Sequence, residues 1–200
     1  DLASSNDYCC AGSVVRNSYL HDGHVRGILI KSPGSSIINN RIERTALNAV
    51  AVKPERYWLE GPMPYDIEIS DNRISNCAFD FRGLGAILIQ SGFCTPPEDR
   101  LTGEASMRNI TVKNNRIDYC NSGMGIFVAN CIEPHIFNNE ISHPFSNSNA
   151  IKKISIYNIF DLSYGVELEN YCHYENISCA IFFTGCKDIE CRNNRVNDPS

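Results

Sequence analysis

One short pattern constrains this chain more than any other feature: alternating apolar residues closed by a polar pair that ends in Asn. Five copies align directly: SSIINNRIERT (35–45), DIEISDNRISNC (66–77), NITVKNNRIDYC (109–120), EPHIFNNEISHP (133–144) and DIECRNNRVNDP (188–199). GSVVRNSYLHD (12–22) is a weaker sixth. Alternation with period two is the signal of a strand, and Asn at its end tolerates the left-handed backbone of a tight bend. A second strand lies between the copies: RGILIKS, NAVAVKP, GAILIQS, MGIFVAN and CAIFFTG. The step from Asn17 to Asn39 is 22 residues and from Asn115 to Asn139 it is 24. That is the length of one coil of a solenoid whose turns bury their inward side chains against one another. The expected fold is all-β: a single-stranded right-handed parallel β-helix of about six to seven coils. Residues 1–200 form one such domain, read as part of a longer β-helix chain. A β-sandwich would have no reason to keep Asn in register.

The repeat also assigns structural roles. Stacked Asn side chains can hydrogen-bond from coil to coil, so Asn40, Asn72, Asn115, Asn139 and Asn194 are expected to hold the bend and not to catalyse. Cys77 and Cys120 occupy equivalent positions five residues after Asn72 and Asn115. Cys131 and Cys186 each stand four residues past Phe127 and Phe182. Equivalent positions in neighbouring coils lie about 4.8 Å apart, so these cysteines are expected to stack. The ten cysteines admit two readings. Free thiols pack as small hydrophobes, whereas extracellular disulfides would accord with the sequons Asn109-Ile-Thr and Asn176-Ile-Ser. No pair has zinc-finger spacing, so no metal is expected.

Interruptions of the repeat are where a solenoid carries function. Asn40 to Asn72 spans 32 residues and Asn72 to Asn115 spans 43. The excess falls after NAVAV and after GAILI, in KPERYWLEGPMPY (53–65) and QSGFCTPPEDRLTGEASMR (90–108). Two adjacent long loops on one edge would wall a cleft, and AFDFRGL (78–84) extends the opposite turn. The first loop holds Glu55, Arg56, Tyr57, the sole tryptophan Trp58, and Glu60. Paired carboxylates beside an aromatic platform suit a sugar groove: one protonates the leaving oxygen, the other attacks or activates water, and the ring stacks on the pyranose. The structural alternative is that Tyr57 and Trp58 cap the core while the charges are solvated. Upstream, HDGHVRGILI (21–30) places His24 and Arg26 on either side of Val25, so on a strand they would share a face. Arg26 would suit a sugar hydroxyl or carboxylate. HDGH lacks a third metal ligand in sequence. Asp80 and Arg82 in FDFRG could pair at the surface, and Asp80 is a further candidate contact to substrate.

The run RGILIKSPGSSIINNRIERTALNAVAVKPERYWLEGPMPYDIEISDNRI (26–74) resembles right-handed β-helix proteins of the pectate-lyase-like superfamily. It is similar in particular to glycoside hydrolase family 110, exo-acting α-1,3-galactosidases. The resemblance implies a β-helix, a carbohydrate substrate and hydrolysis by carboxylates. Arg26-Gly27 matches the family's RG, Glu55 the acid before the aromatic pair, and Trp58-x-Glu60-Gly61 its W.EG. Ala49 stands where Gly is usual, and Met63-Pro64 where a more polar segment is common.

Composition narrows the classes that remain. Net charge is −5, against a nucleic-acid partner, and no apolar run is long enough to span a bilayer. No signal or targeting segment is visible, and the abrupt ends suit a mature or excised domain. The expectation is a carbohydrate-active enzyme, a glycoside hydrolase with Glu55 and Glu60 as its acid–base pair. His24, Arg26, Arg56, Tyr57, Trp58 and Asp80 would bind an oligo- or polysaccharide without a cofactor. Secretion or a periplasmic location accompanies that reading. A polysaccharide lyase or epimerase would instead draw its base from His24, Arg26, Arg56 or Tyr57, and a non-catalytic β-helix module is the third reading.

Overall fold

In the computed structural model, residues 9–54, 62–79, 84–91, 107–120, 124–144, 153–155, 173–175 and 179–197 are described. They contain strands and no helix. Three parallel sheets carry the architecture, and the chain visits them in a fixed order. The first coil is β1 (Val14–Arg16), β2 (Tyr19–Gly23) and β3 (Ile28–Ile30). The second is β4 (Ser36–Ile38), β5 (Arg41–Thr45) and β6 (Val50–Val52). The third is β7 (Tyr65–Ser70), β8 (Arg73–Cys77) and β9 (Gly85–Gln90). The fourth is β10 (Met107–Lys113), β11 (Arg116–Cys120) and β12 (Met124–Ala129). The fifth begins with β13 (Cys131–Phe137) and β14 (Glu140–Pro144). It detours through an antiparallel pair, β15 (Lys153–Ser155) and β16 (His173–Glu175), before β17 (Ile181–Thr184). A sixth supplies β18 (Glu190–Arg192) and β19 (Arg195–Asn197).

Sheet A is β1-β4-β7-β10-β13-β18, sheet B is β2-β5-β8-β11-β14-β19 and sheet C is β3-β6-β9-β12-β17. Each strand therefore pairs with its equivalent one coil away, which makes the protein a parallel β-helix. Inward positions align into apolar columns. Leu20, Ile42, Ile74, Ile117, Ile141 and Val196 run along sheet B. Val15, Ile37, Ile69, Val112, Ile136 and Cys191 run along sheet A. Their interior members are fully buried, and stacking of like shapes is what stabilises each coil against the next. At the entry to sheet C the column is Gly27, Ala49, Ala86, Gly125 and Ala180. These residues are small because the sheet B isoleucines press against them. A Cβ on Gly27 would lie 2.6 Å from the Ala49 carbonyl and 2.9 Å from Ile42 Cγ2. The glycine of the Arg26-Gly27 motif is thus required by packing.

The Asn pair divides its labour differently from the sequence expectation. The left-handed residue is the first of the pair: Asn17, Asn39, Asp71, Asn114, Asn138 and Asn193 all have φ between 53° and 58°. The second residue points into the corner and builds a ladder. Asn40 Nδ2 donates to Asn72 Oδ1 (3.0 Å), Asn72 to Asn115 (2.9 Å), Asn115 to Asn139 (3.0 Å) and Asn139 to Asn194 (2.9 Å). Each acceptor oxygen also takes the backbone N–H of the preceding Asn.

Strict alternation also fails inside the strands. Asp22, Arg44, Asn76, Tyr119 and His143 form a further left-handed column near the end of the sheet B strands. The extra residue lets the positions of Ile74 and Cys77, three apart, both face inward. Cys77 and Cys120 are register partners, fully buried, and all eight cysteines among the described residues are free thiols. Cys131 and Cys186 also stack, because their neighbours Ile132 and Lys187 form a parallel bridge. Burial pushes the thiols of Cys120 and Cys131 far up, with the neighbouring sulfur of Cys77 or Cys186 adding to it.

Candidate functional site

Both long insertions leave the same corner of the solenoid. One connects β6 to β7 and the other connects β9 to β10, so they pass from sheet C to sheet A in consecutive coils. The same corner is short in the coils on either side, between β3 and β4 and between β12 and β13. The roots are firmly packed. Pro54, Pro62 and Pro64 are buried and Met63 packs on the lumen core, so the apolar Met63-Pro64 segment serves as a foot for the first insertion. At the second, Ser91 Oγ donates to the Asn130 carbonyl (2.9 Å) and Asn130 Nδ2 donates to the Ser91 carbonyl (3.1 Å). Glu55, Arg56, Tyr57, Trp58 and Glu60 lie outside the described residues, as does Asp80.

His24 and Arg26 are placed at a different corner. They sit in the turn between β2 and β3, where the chain passes from sheet B to sheet C. The expected alternation about Val25 is not realised, because the strand begins only at Ile28. Val25 is 57% exposed, His24 is exposed and Arg26 is half-buried. The turn is fixed through its backbone: Leu47 N–H donates to the Val25 carbonyl (3.0 Å) and Gly27 N–H to the Asn48 carbonyl (3.0 Å). The width of sheet C separates this turn from the corner that roots residues 53–64. The connection containing Asp80, between β8 and β9, leaves from the same corner as His24 and Arg26.

Sheet B carries the densest polar cluster among the described residues, beside that turn. Glu43, nearly buried, accepts from Tyr19 Oη (2.8 Å), Arg41 Nε (2.6 Å) and an Arg44 terminal nitrogen (3.0 Å). Asp22 receives Arg44 through Nε (2.5 Å) and a terminal nitrogen (3.0 Å), and His21 Nδ1 lies 2.6 Å away. Arg41 also rides over the Tyr19 ring at 4.9 Å. Burial raises the Glu43 carboxyl, but the Tyr19 and Arg41 donors outweigh it and leave the group below the usual glutamate range. The Arg44 guanidinium and His21 hold Asp22 well below the usual carboxylate range. Glu68 is lowered by Lys113 and Ser70, and Glu190 by Arg192 and His135. These four groups stay ionised at neutral pH, so none of them can serve as the proton donor that a glycosidase needs. Sequence reading singled out His21 and Asp22 only as neighbours of His24. The stretched partner set, Tyr19, Arg41, Glu43 and Arg44, becomes visible only when coils one and two are aligned.

Two further histidines are oriented by carboxylates: His143 Nδ1 lies 3.0 Å from Asp118 and stacks on Tyr119, and His135 Nδ1 lies 2.9 Å from Glu190. Sheet C differs from both other sheets. Its outward column, Leu29, Ala51, Leu88, Phe127 and Phe182, is apolar and forms a second cluster apart from the lumen, with Phe127 fully buried. A polar sugar groove is therefore not built on the central residues of that face. The insertion between β14 and β17 was missed by sequence reading, although the 55 residues from Asn139 to Asn194 signal it.

The chain matches no protein-family model, no curated protein and no solved structure. The likeness to family 110 rests on the residues of 26–74 alone.

Proposed function

We propose that this β-helix is a carbohydrate-active protein, a glycoside hydrolase acting on α-galactosides or related glycans through Glu55 and Glu60. One observation supports the reading above others: the two insertions rise from one corner in consecutive coils, where strand spacing is about 4.8 Å. Loops so close at their roots can wall one groove. The first carries Glu55, Arg56, Tyr57, Trp58 and Glu60. One carboxyl would protonate the glycosidic oxygen and the other would attack or activate water. A groove of this kind needs no cofactor, and its partner is an oligo- or polysaccharide. A secreted or periplasmic location belongs to the same proposal.

His24 and Arg26, at the other corner, would contact only a substrate long enough to cross sheet C. The test is a screen of chromogenic glycosides, followed by Glu55→Gln and Glu60→Gln. Each single variant is expected to lose activity by two orders of magnitude or more, about the contribution of one general acid or base, while its circular dichroism is unchanged. Full activity in both would remove these residues from the chemistry. A second reading, a non-catalytic carbohydrate-binding module, draws support from sheet B, where Asp22 and Glu43 are spent on ion pairs. It predicts glycan binding with no turnover of any glycoside.

A further inference from the structure

The outer face of sheet B has an arrangement that the stacking of coils does not require. Tyr19, Arg41, Arg73, Arg116, Glu140 and Arg195 are successive register partners in one column, and all four arginines are exposed. Arg41, Arg73 and Arg116 follow one another directly, at a spacing of about 4.8 Å. Like charges directly opposite each other on neighbouring strands are destabilising. A solenoid can place any polar residue at an outward position, so three consecutive arginines are a costly choice unless something lies across them.

Their pairing sharpens the point. Arg41 is held by Glu43 and by the Tyr19 ring. Arg73 and Arg116 have no ion-pair partner among the described residues, and neither has Arg195. Glu140 stands beside Arg116, yet it accepts from Asn197 Nδ2 at 3.3 Å. In the next outward column, His21, Glu43, Ser75, Asp118, Ser142 and Asn197, the uncharged Ser75 adjoins Arg73 and Asp118 is engaged by His143. Sheet A is arranged otherwise. There Lys113 meets Glu68 at 3.0 Å, and Arg192 meets Glu190 at 2.6 Å while covering the Phe137 ring.

We infer that the outer face of sheet B is a binding track for a linear anionic glycan, gripped by Arg73 and Arg116 and extended by Arg41 and Arg195. Guanidinium groups suit this task because their planar forks bind carboxylate or sulfate through two parallel hydrogen bonds. Register repetition places them along the solenoid axis, so the matching ligand is a polymer whose negative groups recur on the scale of a coil. The net charge of −5 means that bulk attraction would not deliver a polyanion, and binding would depend on the stripe itself. The choice of a glycan among polyanions rests on the carbohydrate reading above; the stripe does not depend on Glu55 or Glu60.

The test uses the full chain and fluorescence anisotropy with labelled dextran sulfate, polygalacturonate, neutral dextran and oligothymidylate, at about 0.02 M and about 0.15 M ionic strength. Dextran sulfate and polygalacturonate separate sulfate from carboxylate as the recognised group. The parent should bind at least one of them, more weakly at the higher salt, and should not bind neutral dextran. Arg73→Gln/Arg116→Gln should weaken that binding by about tenfold or more, the loss expected for charge-assisted hydrogen bonds. Lys113→Gln on sheet A should leave it unchanged. Turnover of neutral chromogenic glycosides by the parent is scored separately, which separates failure of the stripe from failure of the proposed hydrolysis. The inference is overturned if neither anionic glycan binds at low salt, or if the double variant binds as the parent does. Tighter binding of oligothymidylate than of either glycan would overturn it too, assigning the stripe to polynucleotides.

Discussion

Replacing Asn115 by Ala tests the corner that defines this fold. The residue is the middle of the Asn ladder and is 1% exposed. Its Oδ1 accepts from the backbone N–H and side-chain Nδ2 of Asn72, at 3.0 and 2.9 Å. Its Nδ2 donates to the Ile69 carbonyl (2.9 Å) and Asn139 Oδ1 (3.0 Å) and approaches the Lys113 carbonyl (3.0 Å). Alanine would strand the buried Asn72 N–H, because Asn72 Nδ2 keeps its bond to the Ile37 carbonyl but the N–H has no alternative acceptor in the ladder. A buried group left unsatisfied costs about 1–3 kcal/mol, and the weakened bonds at Ile69 and Asn139 add to it, so the expected loss is about 2–4 kcal/mol. Asn194 provides the comparison. It accepts the same pair of bonds from Asn139, but on the sixth coil, where it is only half-buried and water can replace it. Asn194→Ala should cost about 0.5–1.5 kcal/mol. Asn115→Asp should be worse than alanine, since it retains the acceptor but turns a buried charge toward the Ile69 carbonyl. Urea unfolding followed by circular dichroism reads the differences, provided the dependence on urea is unchanged. Equal losses for Asn115→Ala and Asn194→Ala would refute the claim that burial of the ladder stabilises the corner.

Two further outcomes follow from the same structure. Glu43 is held below its ordinary value of 4.5, so its contribution to stability is full above that value and lost as pH falls through the depressed folded value. Glu43→Gln should therefore be less stable than the parent by about 1–3 kcal/mol at neutral pH, and urea titrations should show the gap closing in acid; a gap constant from neutral pH down to about pH 3 would contradict the assignment. For the thiols, labelling of the native protein with peptide mapping should modify Cys10 and Cys191, which are exposed, well before Cys77, Cys120 and Cys131. Equal rates at all five positions would show that the stacked pairs are not buried.

Much of the fold was legible in the sequence because a solenoid repeats its instructions. The Asn register, the apolar alternation and the aligned cysteines each recur in coils that fold under the same constraints, so one correct alignment locates every strand. The roots of residues 53–65 and 90–108 were legible for the same reason, as departures from a known period. Other features follow no local rule. The left-handed positions of Arg44, Tyr119 and His143 are set by the need to bring Cys77, Cys120 and their equivalents inward, and no propensity of those residues announces it. Placement of His24 and Arg26 at a corner away from the first insertion depends on where sheet C begins, which packing of Gly27 against Ile42 and Ala49 decides.

By itself, then, the sequence determined the period, the parallel pairing and the structural role of its asparagines, since each is encoded in one coil and repeated in the next. Only the tertiary structure decided which outward side chains become neighbours. The arginines of sheet B are 32 and 43 residues apart in the chain, yet adjacent across strands. Their meeting depends on the lengths of the intervening insertions being absorbed at the corners between sheets without a change of register.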